Sequence, residues 1–327
     1  MDTHSDVLKI TDLSVQLKTK HGLLTPLDRI SIRIPSGSAV GLVGESGCGK
    51  SMTALAIMGI LPSSAFVSSG EILLNGNDLV HYSNSEMRKI RGDRISMIFQ
   101  EPMTSLNPVI RVGKQVREGI LLHQDVGREE AKNMVIDIFR KVGIPEPERR
   151  YNSYPHELSG GLRQRVMIGM AMVCQPDLLI ADEPTTALDV TIEAQILYLM
   201  RQLRQENNTS ILMITHNLGV VSELCDYVYV MYTGQIVESC PVTELFRNPL
   251  HPYTQALLRA IPTIRSQDRL ENIPGSVPPL DLLPAGCRLQ PRCQQFSEHC
   301  RFTCPPLIEV SDNHYVRCWQ RTQEEIR

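Results

Sequence analysis

Residues 13–17 and 30–34 alternate apolar and polar positions with the period of half-buried strands, and Gly22 and Pro26 between them supply turn chemistry. Residues 39–43 differ. They form a continuous apolar run closed by Gly44, the pattern of a central strand covered on both faces, and residues 51–60 then read as a helix. Further strands are predicted at 95–99, 178–181 and 210–215, with a helix over 191–207 separating the last two. Strands alternating with helices predict an α/β fold. From 101 to 175 the strand period is lost, while 112–123, 128–142 and 160–173 take helical spacing, so a helical subdomain is expected to interrupt the α/β core. After about residue 262, prolines accumulate and no long periodic segment follows. No internal repeat or low-complexity tract is present.

The 327 residues suit two domains, or one domain with a substantial extension. With 42% hydrophobic and 21% charged residues the chain can bury a sizeable core, which excludes a wholly disordered or coiled-coil protein. A net charge of −3 argues against nucleic acid as the partner. No apolar run approaches the roughly 18 residues that span a bilayer, and residues 1–15 lack the basic end and apolar stretch of a signal peptide. A cytoplasmic protein is therefore expected, in which nine cysteines serve as thiols or metal ligands rather than disulfides.

The sharpest local pattern is Gly44-Glu45-Ser46-Gly47-Cys48-Gly49-Lys50-Ser51, a phosphate loop lying between a buried strand and a helix start. Glycines let successive backbone N–H groups point into one concavity, the helix N-terminus adds positive potential, and Lys50 supplies a mobile charge for β- and γ-phosphates. Ser51 is placed to ligate Mg²⁺. At the end of the 178–181 strand, Asp182 can support that metal while Glu183 faces an attacking water. Two adjacent acids alone more often mark a solvated turn, but a Mg²⁺-bound triphosphate lowers the cost of neighbouring anions. Leu158-Ser159-Gly160-Gly161-Leu162-Arg163-Gln164 opens a helix with a serine and two glycines, which reads either as an N-cap or as a second anion site. Gln100 and His216 each stand just after a strand.

In order and spacing these segments resemble the nucleotide-binding subunits of ATP-binding cassette transporters over residues 5–262. The resemblance implies a P-loop NTPase core with an inserted helical subdomain at about 101–175, an ATP-binding domain over 1–262 and an extension over 263–327. It assigns Gly44 to Ser51 as the Walker A loop, Gln100 to the Q-loop, 158–162 to the signature, Asp182 and Glu183 to Walker B, Asp189 to the D-loop, and His216 as the switch histidine. Glu183 is then the general base, Ser51, Gln100 and Asp182 attend Mg²⁺, and His216 holds the γ-phosphate and water. Leu162 stands where many relatives have glutamine, and Leu17 where they stack an aromatic on adenine. The resemblance further implies a head-to-tail dimer, as homodimer or heterodimer, in which Ser159, Gly160 and Gly161 of one cassette contact the ATP of the other. Residues 101–108 are expected to lead to two membrane permease subunits, with an extracytoplasmic solute-binding protein acting indirectly.

The tail narrows the resemblance. Residues 251–258 begin a short helix, and Cys287, Cys293, Cys300 and Cys318 follow with the four-cysteine spacing of dipeptide and oligopeptide importers, Cys304 being additional. Small buried thiols, zinc and an iron-sulfur cluster all suit four such cysteines; the resemblance favours a 4Fe-4S cluster over zinc. The sequence is thus expected to encode the ATPase of a bacterial peptide importer, peripheral at the cytoplasmic face of the inner membrane. Importers of nickel complexes, glutathione or oligosaccharides share such cassettes. A non-transport cassette acting in DNA repair or on ribosomes is disfavoured, because the chain has no long coiled-coil insertion, second cassette or basic patch.

Overall fold

The computed structural model describes residues 5–20, 22–100, 105–186, 189–260 and 275–322. The strands in chain order are β1 (Asp6–Thr19), β2 (Gly22–Pro35), β3 (Ala39–Val43), β4 (Ala65–Leu74), β5 (Asn77–Asp78), β6 (Ile95–Ile98), β7 (Leu178–Asp182), β8 (Ser210–Thr215), β9 (Tyr227–Tyr232), β10 (Gln235–Pro241), β11 (Ile308–Ser311) and β12 (His314–Val316). The chain falls into two compact units, one drawn from 1–7, 34–38 and 81–213, the other from 8–33, 39–80 and 214–327.

In the first unit β6 runs parallel to β7, with Ile95 opposite Leu178 and Ile98 opposite Ala181. Every residue of β7 is buried, which explains its unbroken apolar run. The helices Val112–His123, Arg128–Lys141 and Gly160–Met172 follow the sequence pattern closely. The first two turn an apolar stripe inward, Val112, Val116 and Ile120 on one and Ala131, Val135 and Ile138 on the other, whereas the third is buried on most of its faces, Val166, Met167, Ile168 and Gly169 included. Acids in the first turn of Arg128–Lys141 and bases in its last turn complement the helix dipole. Among the described residues from 105 to 175 there is no strand, as the helical insertion requires.

In the second unit β1 pairs antiparallel with β4, and β2, β1, β4 and β5 form one sheet. β3 runs parallel to β9, and β9 turns back into β10. The helix predicted over 51–60 is Lys50–Ile57, shorter because Gly59 adopts φ +63° and closes it. The tail carries more regular structure than its sequence pattern assigns: β12 pairs with β10, and β11 with β12.

A buried polar knot ties this tail to the sheet. Glu238 on β10 accepts hydrogen bonds from the Leu250 and His251 backbone N–H groups at 2.8 and 2.9 Å, and pairs with His314 Nε2 at 2.8 Å. Glu238, Cys240 and His314 bring potential metal-ligand atoms within 4.8 Å of one another. Both Glu238 oxygens already have donors, so we read the cluster as a structural knot. Burial alone would push the Glu238 carboxyl up, but the His314 and backbone hydrogen bonds outweigh it and hold the group below its ordinary value. Neighbouring His251 is fully buried, accepts the Tyr253 N–H on Nδ1, and is lowered from 6.5 to about 4 chiefly by burial. The unfolded chain therefore binds a proton here that the folded chain refuses between those values. Urea midpoints should be flat above about pH 7 and fall as pH drops from 6.5 towards 4, and His251→Gln should flatten that descent.

Candidate functional site

The phosphate loop lies between β3 and the helix Lys50–Ile57, within the second unit. Gly44, Gly47 and Gly49 have φ of +158°, +79° and +115°. A Cβ on Gly44 would collide with the Met231 carbonyl oxygen, and one on Gly49 would lie 2.9 Å from a Leu27 methyl. Backbone packing dictates glycine at 44, while positive φ favours it at 47 and 49, and Gly44→Ala should lower stability by about 2 kcal/mol or more, read as a fall in Tm, along with nucleotide binding. Gly49 caps the helix with no side-chain acceptor, leaving first-turn N–H groups for an anion. Lys50 is 5% exposed, and its ammonium donates to the Gly44 and Glu45 carbonyls at 2.7 and 3.0 Å. Ser46, Gly47 and Ser51 are exposed, whereas Cys48 is buried with its thiol raised by burial. His216 stands exposed one residue beyond β8.

The first unit carries a second constellation. Gln100, two residues beyond β6, donates from Nε2 to Glu183 Oε2 at 3.0 Å, and Thr186 Oγ1 donates to the same oxygen at 2.9 Å. Glu183 takes φ +47°, a sparsely populated conformation for a residue with a Cβ. Asp182 just before it is buried at the end of β7. Strand, strain and two donors thus fix one carboxylate while leaving it half-exposed.

Ser159 caps Gly160–Met172 by accepting the Leu162 N–H at 3.4 Å. The N-cap reading is thus seen directly, and Ser159 and Gly160 are exposed at the helix N-terminus. Gln164, deeper in the helix, donates to the Pro184 carbonyl and so ties it to the chain after Glu183. Asp189 caps Val190–Asn207, accepting the Ile192 N–H at 2.9 Å. Residues 187 and 188 of the D-loop reading, and 101–104 of the membrane-facing reading, lie outside the described residues. Leu17, half-buried on β1, pairs with Ala65; the nearby Phe66 lies opposite Gln16 beneath the Lys18 ammonium.

The tail brings its four patterned cysteines together. Cys300 and Cys318 are buried, Cys287 and Cys293 partly so, and the Cys287 N–H donates to the Cys300 carbonyl at 2.8 Å. Burial pushes the Cys287 thiol up to about 12, and Cys300, Cys293 and Cys318 are near enough to add to the shift. Cys304 stands apart, its thiol 3.6 Å from Gln235 Oε1. Sequence reasoning missed three groups that reach the phosphate loop or its supporting turn: Tyr253, Arg288 and Arg292. The adjacency of Arg288 to Cys287 and of Arg292 to Cys293 was the available signal.

This fold and loop define an ATP-binding cassette. Residues 27–186 match the family model described as ABC transporter, and 237–300 match the oligopeptide/dipeptide transporter C-terminal region. A putative peptide import ATP-binding protein of Brucella ovis is 48% identical over 96% of this chain and 97% of its own. The oligopeptide transport ATP-binding protein AppD of Bacillus subtilis is 48% identical over 98% of both chains, and OppD of Haemophilus influenzae 45% identical over 96% of this chain and 97% of its own. The dimeric cassette MJ0796 in a post-hydrolysis state with ADP and Pi superimposes with TM-score 0.65 over 72% of this chain and 98% of its own, at 24% identity. CbiO1 of Clostridium perfringens, part of a CbiONQ transporter complex, gives TM-score 0.63 at 28% identity over 74% of this chain and 91% of its own. The chain belongs to the ATP-hydrolysing subunits of ABC transporters, in the oligopeptide/dipeptide branch.

Proposed function

We propose that this ATPase energises import of oligopeptides or dipeptides across the inner membrane, docked on the cytoplasmic side of two permease subunits, with an extracytoplasmic binding protein delivering the peptide. The observation that carries the reading is similarity along nearly the whole chain, tail included, to proteins named for peptide import. Among the described residues no helix is long and apolar enough to cross a membrane, so the path for peptide is assigned to partners. The surface that supports docking follows 105–108, where Val109, Ile110, Leu121 and Leu122 are exposed next to Lys114 and Arg117.

In this reading the N–H groups of Gly44 to Ser51 and the Lys50 ammonium hold the phosphates, which displace that ammonium from one of its three loop acceptors, the Gly44 and Glu45 carbonyls and the more distant Cys48 sulfur. Ser51, Gln100 and Asp182 would hold Mg²⁺, which when bound neutralises charge on the β- and γ-phosphates. Glu183 accepts a proton from the attacking water at the oxygen that Gln100 and Thr186 orient. His216 holds the water and γ-phosphate. Ser159, Gly160 and Gly161 serve the ATP of a second cassette, a copy of this chain or a related one, and Asp189 links the two sites.

We infer that the tail cysteines hold a 4Fe-4S cluster, since four thiols are soft donors suited to iron. What supports the reading is the gathering of the thiols, Cys300, Cys293 and Cys318 all lying near enough to Cys287 to raise it further. Cys287, Cys293, Cys300 and Cys318 would hold the cluster, which when bound supplies folding energy to a segment with little core.

The split site is tested by hydrolysis rates. The isolated chain should turn over slowly and accelerate when its membrane subunits and second cassette are added, and Ser159→Ala should slow the ATP bound by the partner cassette. Full-rate hydrolysis by a strictly monomeric preparation would remove the composite site.

A further inference from the structure

One arginine of the cysteine-bearing segment grips the phosphate loop, and a second grips the turn that supports it. Arg292 donates from both terminal nitrogens to the Glu45 carboxylate, at 2.7 and 3.1 Å, with its own side chain only 3% exposed. Its guanidinium lies 5.9 Å over the Tyr232 ring, Tyr232 packs on Tyr253 at 4.7 Å, and the Tyr253 hydroxyl accepts the Glu45 backbone N–H at 2.8 Å. Glu45 is therefore held by main chain and side chain together. Arg288 donates to the Thr233 carbonyl and to Asp28. The turn it grips supports the other end of the loop: the Gly234 N–H donates to the Cys48 carbonyl at 2.7 Å, and the Asp28 N–H to the Gly234 carbonyl at 2.9 Å.

The two arginines stand next to two patterned cysteines, Arg288 after Cys287 and Arg292 before Cys293. One short turn joins them, in which the Gln290 N–H donates to the Cys287 carbonyl and the Arg292 N–H to that of Leu289. Whatever loosens the cysteines must displace both guanidinium groups. A partly buried bidentate arginine–carboxylate pair is directional, and loss of one partner leaves the other charge without its fork, so displacement acts on the loop at Glu45 and beneath Cys48.

We propose that Arg288 and Arg292 are positioning residues for the phosphate loop, through which nucleotide affinity and the order of the cysteine-bearing segment are linked. The proposal rests on Gly44 to Ser51 being the nucleotide-binding loop. Linkage is reciprocal: an ordered tail tightens nucleotide binding, and bound nucleotide tightens the tail by the same factor.

The test uses the full chain with its native metal content, and ATP with Mg²⁺ as the probe. Arg292→Gln should weaken ATP binding by roughly ten-fold or more, within the usual range for coupling between sites. Arg292→Lys should fall between it and wild type, because an ammonium keeps the charge but not the fork. ATP should slow amide exchange across residues 284–300 in the wild type and lose that effect in Arg292→Gln. If Arg292→Gln fails to fold, Glu45→Gln decides, since it weakens the pair from the loop side without touching the tail and should speed exchange across 284–300. Lys50→Ala separates the two claims. Wild-type binding by Lys50→Ala would remove the loop assignment. Loss of binding in Lys50→Ala, with wild-type affinity in the arginine variants and exchange across 284–300 unmoved by ATP or by Glu45→Gln, would overturn the linkage alone.

Discussion

Replacing Glu183 by glutamine is expected to lower ATP turnover by roughly 10²- to 10⁴-fold, the usual worth of a general base, while nucleotide still binds. The amide can accept a hydrogen bond but not the proton of the attacking water. Gln100 and Thr186 both donate to Glu183 Oε2, so the wild-type carboxylate is oriented before any water arrives. Its φ of +47° adds backbone strain at the same residue, and such strain persists where surrounding structure over-determines it. Single-turnover hydrolysis beside equilibrium ATP binding separates the two effects. Near-normal turnover in Glu183→Gln would take this residue out of the role, whereas Lys50→Ala is expected to fail earlier, at binding.

The second large effect concerns Cys287, Cys293, Cys300 and Cys318. Protein purified without oxygen should be brown and carry about four iron and four sulfide per chain. Changing any one of the four to serine should loosen the tail, seen as faster proteolysis within 275–322, because binding energy on the order of 10 kcal/mol is folding energy for a small metal-stapled segment. Cys304→Ser should leave the iron content unchanged, since that thiol faces Gln235 instead. Stoichiometric zinc without sulfide would replace the cluster while keeping the staple, and a metal-free tail of full protease resistance would remove both.

The parts of this fold legible in the sequence are those where burial is uniform. β3, β7 and β8 are buried along their whole length, so their apolar runs stand out, and the helices Val112–His123 and Arg128–Lys141 show clean stripes. β10 was not legible for a physical reason, whereas its neighbour β9 buries a run, Val228 to Tyr232, as continuous as that of β8. β10 buries Gln235, Glu238 and Ser239, polar residues that only distant partners make tolerable, which erases the alternation a strand reading needs. Their turn, Thr233-Gly234, has φ of +40° and +79°, the pair of positive values that suits a two-residue hairpin, and glycine after a single threonine is a weak cue for it.

The site divides in the same way. Loop glycines, the acid pair and the capping serine declare themselves through local spacing, because their chemistry needs neighbours in sequence. The Gln100–Glu183 bond joins residues 83 apart, and the Arg292–Glu45 pair joins residues 247 apart. No local pattern encodes such contacts, and an arginine beside a cysteine ordinarily suggests a solvated charge.

The most direct measurement of the central claim is peptide uptake by sealed proteoliposomes holding this chain with its permease subunits and second cassette, ATP being supplied on the cassette side. The account predicts accumulation of a labelled oligopeptide, delivered with its binding protein, that requires ATP and Mg²⁺ and is lost with Glu183→Gln in place. Accumulation unaffected by Glu183→Gln, or ATP hydrolysis that proceeds in the full assembly without moving any peptide, would contradict it.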